Sequence, residues 1–301
     1  VFEPLPAGGL EGRTRAMLKV EDGCVNFCSY CIIPYARGPV RSLPLAEAAG
    51  QARRLAGEGY HEVVLTGIEI SSWGHDLRTG EGLADLIEAV CAAAPGLRVR
   101  LGSLEPRTIT EDFCRRTTAL PELFPHFLLS LQSGCDAVLA RMGRKYDTER
   151  YHRSIRLLNG YFPDAGITTD LIVGFPGETQ EEFEQTLRFL QSCAFSSVHV
   201  FPYSRRPGTP AASMPGQLSK EEKEARARRA IALAAEMEQS WLESRIGRTV
   251  PVLFEEEKDG WWQGHAPDYA LVRAKGEQLH DRVLPVRIEA VERGALTGRI
   301  Q

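Results

Sequence analysis

At 301 residues, with 43% hydrophobic and 25% charged positions, the chain has the make-up of an ordinary globular protein, long enough for one large domain and a small one. No uninterrupted apolar stretch reaches membrane-spanning length, and the start Val1-Phe2-Glu3-Pro4-Leu5-Pro6 lacks the charged and apolar parts of a signal peptide, so a cytoplasmic location without a membrane partner is expected. The formal net charge of -4 carries no basic signature, which argues against DNA and confines any RNA contact to local patches.

The first element is the short β-like run Ala16-Met17-Leu18-Lys19-Val20, which Gly23 turns into a loop carrying Cys24, Cys28 and Cys31. Their C-x3-C-x2-C spacing supplies three thiolates from one tight loop, one too few to close a tetrahedral iron or zinc site. A four-iron four-sulfur cluster takes a thiolate at each iron. Such a loop leaves one iron open to a ligand that presents a nitrogen and an oxygen together, and the amine and carboxylate of S-adenosylmethionine fit that corner. An electron from the reduced cluster can then break the carbon-sulfur bond, giving methionine and a 5'-deoxyadenosyl radical. The other readings are a zinc knuckle, which wants a fourth Cys or His at motif spacing, and a disulfide pair with a spare thiol. Cys91, Cys114, Cys135 and Cys193 are scattered and read as buried small apolar residues.

Strand-like runs then recur at 61–65, 97–101, 126–131, 167–173 and 197–201, alternating with helical stretches at 45–58, 83–93, 111–118, 149–159 and 178–191. This alternation predicts an α/β fold with a parallel sheet wrapped by helices. Parallel α/β folds place their sites beyond the carboxyl ends of the strands, so residues just after each run are candidates. Gly67 follows the second strand, where a missing side chain allows close backbone approach. Glu105 follows the third, placed to accept from ribose hydroxyls or an amine, or to cap the helix ahead near Thr110. Ser130 and Gln132 follow the fourth and run on into Arg141-Met142-Gly143-Arg144-Lys145-Tyr146, where Arg144 and Lys145 suit a substrate phosphate or a cofactor carboxylate.

From Ser219 to about Ser244 the composition turns to Lys, Glu, Arg and Ala, with Ile231, Leu233, Met237 and Trp241 spaced for one apolar face. This predicts a long connecting helix whose charges from Glu221 to Arg229 form a solvated face. After Gly247, strand-like runs at 249–255, 260–265, 269–274, 284–292 and 295–300 predict a small antiparallel barrel. From Arg248 onward there are eight basic and nine acidic residues, so electrostatics favours RNA only weakly. Trp261, Trp262, His265 and Tyr269 could stack on bases or fill the barrel core. The expected division is therefore 1–218, 219–245 and 246–301.

The cysteine loop resembles that of the radical S-adenosylmethionine superfamily, and Gln132-Ser133-Gly134 followed by Met142 and Lys145-Tyr146 is similar to the methylthiotransferases within it. The segments from Cys31 to Ser42, Thr169 to Thr179 and Val200 to Pro210 look most like the branch that modifies N6-threonylcarbamoyladenosine in tRNA. The resemblance implies an open, partial barrel of six strand-helix units followed by a TRAM-like RNA-binding barrel. It also implies a cluster on Cys24, Cys28 and Cys31, with Tyr30 lying against adenine through its backbone and Gly67, Glu105, Ser130 and Gln132 shaping the cofactor site. The expected activity is replacement of an adenine C2 hydrogen beside the anticodon by a methylthio group, with tRNA and an external electron donor as partners. Members of the family carry a further amino-terminal domain whose three cysteines hold a second cluster. No such triplet occurs here, and a chain truncated just upstream of the radical domain is expected. Methylthiolation of another adenosine or of a ribosomal protein, and a non-catalytic iron-sulfur RNA-binding protein, are the alternatives.

Overall fold

The structure, a computed structural model, describes residues 2–3 and 14–301; of the opening residues weighed above for a signal peptide, Val1, Pro4, Leu5 and Pro6 lie outside the described residues. Six parallel strands stand side by side in chain order: β1 (Arg15–Lys19), β2 (Glu62–Thr66), β3 (Arg98–Leu101), β4 (His126–Leu128), β5 (Gly166–Val173) and β6 (Ser197–Pro202). Continuous ladders join the first three and the last three, and the single bridges Val99–Leu123 and Leu104–Leu129 close the seam between β3 and β4. Among the described residues no strand joins β6 back to β1. The result is the open partial barrel expected.

Side chains on these strands alternate between two environments, as the pleat requires. Ala16, Leu18, Val63, Leu65, Phe127, Leu171 and Val173 point outward and are buried beneath the helices Leu45–Gly57, Leu83–Ala93, Glu111–Thr117, Thr148–Tyr161 and Gln180–Cys193. Residues of the opposite parity face a lumen that is open along its side, which leaves Met17 45% and Phe201 51% exposed. The register stacks the lumen in layers: Arg15, Glu62 and Arg98 lie lowest, then Met17, Val64 and Arg100, then Lys19 and Thr66. Across the seam, Thr168 pairs with Ser197, Asp170 with His199 and Ile172 with Phe201.

Local chemistry sets two helix starts. The helix expected from 178 begins at Gln180, because Thr179 caps it by accepting from Glu182 N at 3.2 Å. Glu178 is instead buried and accepts from Gly174 N at 2.7 Å. The helix after Glu105 is capped by Thr110 Oγ1, which accepts from Phe113 N, so Glu105 is not its cap. The fourth strand stops at Leu128; four residues on, Gln132 takes φ +70, in the left-handed region, and makes a single bridge to Leu171.

The connecting helix runs Lys220–Glu243 with a capping box between Ser219 and Glu222. Its buried face is Ala227, Ala230, Ala234 and Leu242, with Leu233, Met237 and Trp241 partly covered and Ile231 52% exposed. The apolar face is thus rotated from the one expected, since small alanines allow close approach to the core. The charge run is also not simply solvated. Arg226 holds buried Glu178, and Arg229 bonds Glu184 at 2.7 Å.

Thr249–Lys258, Trp261–His265, Leu271–Ala274, Arg282–Glu292 and Ala295–Ile300 close into a barrel. Every neighbouring pair is antiparallel except Leu271–Ala274 with Ala295–Ile300, which is parallel. Strands that alternate up and down around a closed ring need an even number; five force one parallel seam. Tyr269, expected within a strand, has φ +72 in the turn before Leu271. The barrel seats on the amino-terminal end of the lumen. Arg100 donates to the carbonyls of Ala266 and Pro267 at 2.9 and 2.8 Å while its other edge forks onto Glu62. Arg15 donates to Glu255 at 2.9 Å, and the Tyr269 ring lies stacked between His126 and His265. No helix among the described residues is long and apolar enough to cross a membrane.

Candidate active site

The loop with Cys24, Cys28 and Cys31 leaves the carboxyl end of β1 and is gripped from several directions. Gly23 has φ +90, and a Cβ there would sit 2.1 Å from Pro39 O, so only glycine permits this turn. Cys24 N donates to Gly38 O, Cys31 N to Cys28 O, Ser29 N to Met142 O, and Ala211 N to Ser29 O. Ser29 Oγ donates to Arg141 O at 2.8 Å. The short helices Ile33–Arg37 and Asp136–Arg141 and the ribbon pairing Glu21–Asp22 with Arg41–Ser42 were not anticipated, and together they frame this loop.

All seven cysteines are free thiols, with Cys91, Cys114, Cys135 and Cys193 buried as expected. Cys24 and Cys31 are half-exposed and Cys28 is buried. Asn26 N donates to Cys24 Sγ at 3.4 Å, and Arg144 Nη1 to Cys28 Sγ at 3.1 Å. Burial pushes the Cys24 and Cys31 thiols above their ordinary value, so their conversion to thiolates calls for a cation. No group of three or more His, Cys, Asp or Glu side chains among the described residues converges as on one metal ion. A cubane cluster makes no such demand, since each thiolate takes a separate iron. Three free thiols on a glycine-pinned loop, two of them receiving N–H donors, fit such a cluster.

The other expected residues gather around the same mouth in different ways. Tyr30 meets Phe175 edge to face at 6.5 Å beside a cluster that includes Cys135, Met142, Tyr203 and Ala211, and burial raises its hydroxyl well above the ordinary value. Glu105 is buried, its carboxylate forked by Arg107 at 3.2 and 2.7 Å, and its N–H donates to Ser71. Ser130 O and Leu131 O both accept from the Tyr146 hydroxyl, which also receives Arg144 Nε. Gln132 exchanges backbone bonds with Asp170 O and Ile172 N; holding a non-glycine residue in this conformation costs about 1–3 kcal/mol. Gly67 makes room for a protein group: a Cβ there would lie 2.7 Å from Glu21 Oε2.

Glu21, Glu69 and the His199–Asp170 pair had not been singled out. Glu21 is fully buried, accepts from Glu69 N at 2.8 Å, and is pushed by desolvation up to about 7. Glu69 is likewise raised by burial. A cavity of about 600 Å³ opens from Val25 and Asn26 past Glu69, Ser71, Glu105 and Lys145. Arg144, expected to face a phosphate or carboxylate, donates to Cys28 Sγ and to the Tyr146 hydroxyl. Deeper in the lumen His199 Nδ1 meets Asp170 Oδ1 at 3.1 Å, above a second cavity of about 440 Å³ that reaches down to Tyr269. An exposed His in a strand gives no local signal of such a pairing.

Residues 18–190 match the family model described as the Radical SAM superfamily. Over 295 residues the chain is 37% identical to the threonylcarbamoyladenosine tRNA methylthiotransferase MtaB of Bacillus subtilis (strain 168), covering 96% of this chain and 65% of that protein. It is 38% identical over 309 residues to the tRNA-2-methylthio-N(6)-dimethylallyladenosine synthase of Oleidesulfovibrio alaskensis, covering 94% of this chain and 66% of that protein. The chain thus spans just under two thirds of the length of these two curated relatives. Its fold is similar to that of the radical S-adenosylmethionine methyltransferase TsrM from Kitasatospora setae, with a TM-score of 0.57, 18% identity, and coverage of 67% of this chain and 38% of that one. From the three-thiol loop at the strand ends to the match over β1 through the Gln180–Cys193 helix, the chain belongs to the radical SAM superfamily.

Proposed function

We propose that this chain is the core of a tRNA methylthiotransferase that places a methylthio group on C2 of N6-threonylcarbamoyladenosine beside the anticodon. The observation that carries it is the free three-thiol loop at the carboxyl ends of the strands, with Arg144 donating to Cys28, above a lumen open along its side. Similarity to tRNA methylthiotransferases over nearly the whole chain supports the substrate class. In this reading Cys24, Cys28 and Cys31 hold the four-iron cluster, and S-adenosylmethionine lies among Tyr30, Gly67, Glu105, Ser130 and Gln132. Residues 1–218 form the radical core, 219–245 the connecting helix, and 246–301 a TRAM-like barrel that grips tRNA. A second, sulfur-carrying cluster and an external electron donor complete the proposed reaction.

When bound and reduced, the cluster supplies the one-electron cleavage that begins hydrogen abstraction from the substrate. The target carbon-hydrogen bond offers no acidic proton to a side-chain base, which is why radical chemistry suits it. The chain's own residues do the rest. Ser29, through Met142, Arg141 and Ala211, fixes the loop against the core. Arg144 places its guanidinium against Cys28 Sγ at 3.1 Å and so orients that side chain. Arg107 forks onto the Glu105 carboxylate and fixes its orientation. Outward apolar faces seal the lumen on the helix side, and among the described residues the gap between β1 and β6 gives substrate a way in.

Anaerobic reconstitution with iron and sulfide, read by iron content, spectroscopy and release of 5'-deoxyadenosine, tests this. Wild-type protein is expected to hold about four irons per chain and cleave S-adenosylmethionine, and Cys28→Ala to do neither. Protein that takes up zinc or no metal under these conditions overturns the reading.

A further inference from the structure

We propose that the lower lumen is the pocket for the N6 substituent of the target adenosine, and that His199, held by Asp170, receives the substituent's carboxylate. The inference rests on the tRNA methylthiotransferase reading and deepens it by assigning the residue that selects the substrate branch.

The argument begins with the shape of adenine. The bonds from C2 to hydrogen and from C6 to the amino nitrogen leave the ring about 120° apart, by the geometry of a six-membered aromatic ring. A base that turns C2 toward the cysteine loop at the strand ends therefore sends its N6 substituent away from the mouth and into the lumen. There the structure has the second cavity, about 440 Å³, lined by His199, Ser197, Thr168, Leu128 and Tyr269 among others. His199 lies on β6, beside the open gap, and its side chain is 54% exposed. Phe201, one layer above it toward the mouth, is 51% exposed and offers an apolar face at the level where the ring would lie.

The chemistry of His199 matches an anion. Its Nδ1 is taken by Asp170, and among the described residues its Nε2 has no partner, so that edge is free for a ligand. The hydrogen bond to Asp170 raises the imidazole above its ordinary value, which maintains the N–H that a carboxylate needs. The titratable groups around it are Asp170 on β5, Glu238 on the connecting helix and His126 on β4. Glu238 is itself raised by burial and bonded to Ser197, which limits its competition for the imidazolium. A threonylcarbamoyl group brings a carboxylate and a hydroxyl to this cavity. A dimethylallyl group would offer the Nε2 edge no partner, and a site built to bond a polar group rejects an analogue that lacks it.

Three anticodon stem-loop RNAs, bearing adenosine, N6-threonylcarbamoyladenosine or N6-dimethylallyladenosine at the target position, are titrated against residues 1–301 and binding is followed by fluorescence anisotropy. Wild type is expected to prefer the threonylcarbamoyl RNA over unmodified RNA by about tenfold or more, as one charge-assisted hydrogen bond allows. His199→Gln should erase most of that ratio, and His199→Lys should restore part of it. Circular dichroism of both variants separates misfolding from loss of the anchor. An unchanged ratio in His199→Gln, or wild-type preference for the dimethylallyl RNA, overturns the inference while leaving the tRNA reading standing. Failure of wild type to bind any of the RNAs overturns both.

Discussion

His126 enters the fold as a neutral ring. It is buried between Thr168 and the face of Tyr269, and desolvation, with Arg100 nearby, lowers it from 6.5 to about 3. Between those values the unfolded chain binds a proton that the folded chain refuses. Stability therefore falls as pH drops from about 6.5 toward 3, by up to about 1.4 kcal/mol per pH unit. His126→Gln, which cannot titrate, should flatten this part of the acid limb when urea midpoints are compared between pH 7 and pH 4; an unchanged slope would show that other groups carry it. The same burial that silences His126 was invisible in the chain, where it begins a strand like any other inward residue. The three cysteines were legible because their spacing alone limits what they can bind. Arg144 was visible only as a basic residue near a Met-Gly pair; that it lies against Cys28 depends on a contact spanning 116 positions.

The strands and helices owe their existence to local pattern and their ends to side chains at the boundaries. Period-2 runs ended within one to three residues of the ranges read from the chain, and caps such as Thr179 and Ser219 set where helices begin. Gly67 lies just past the end of β2, where Glu21 fills the space a side chain would need. Gly67→Ala should destabilise the protein by about 1–3 kcal/mol through overpacking, measured as a lower urea midpoint. Glu21→Ala introduced beside it should recover part of the loss, whereas no recovery would mean the glycine serves something other than Glu21. The connecting helix shows where periodicity misleads. Its large apolar residues suggested one face, yet the core took the alanine face, because helices approach closely only where side chains are small.

The two barrels are joined by groups whose meaning is tertiary. Arg100 and Glu62 are each almost wholly buried, paired at 2.7 Å, and Arg100 also donates to two carbonyls of the terminal barrel. Removing one partner leaves a buried charge alone, which costs about 3–5 kcal/mol. Glu62→Gln should therefore lower the unfolding midpoint strongly and expose the linkage near Asp268 to limited proteolysis. A double variant, Glu62→Leu with Arg100→Met, should recover much of the stability without restoring the bonds to Ala266 and Pro267. If Glu62→Gln unfolds like wild type, the pair contributes nothing to the joint between the barrels.

The three-cysteine spacing, the order of strands and helices, and the small carboxy-terminal barrel could all be read along the chain, because each is a pattern over a few residues. The lateral opening, the layers inside the lumen, the parallel seam of the five-stranded ring and the His199–Asp170 pair were decided by tertiary structure. Each depends on which distant segments meet and in what register, and a one-residue shift of register would turn every lumen side chain into the core.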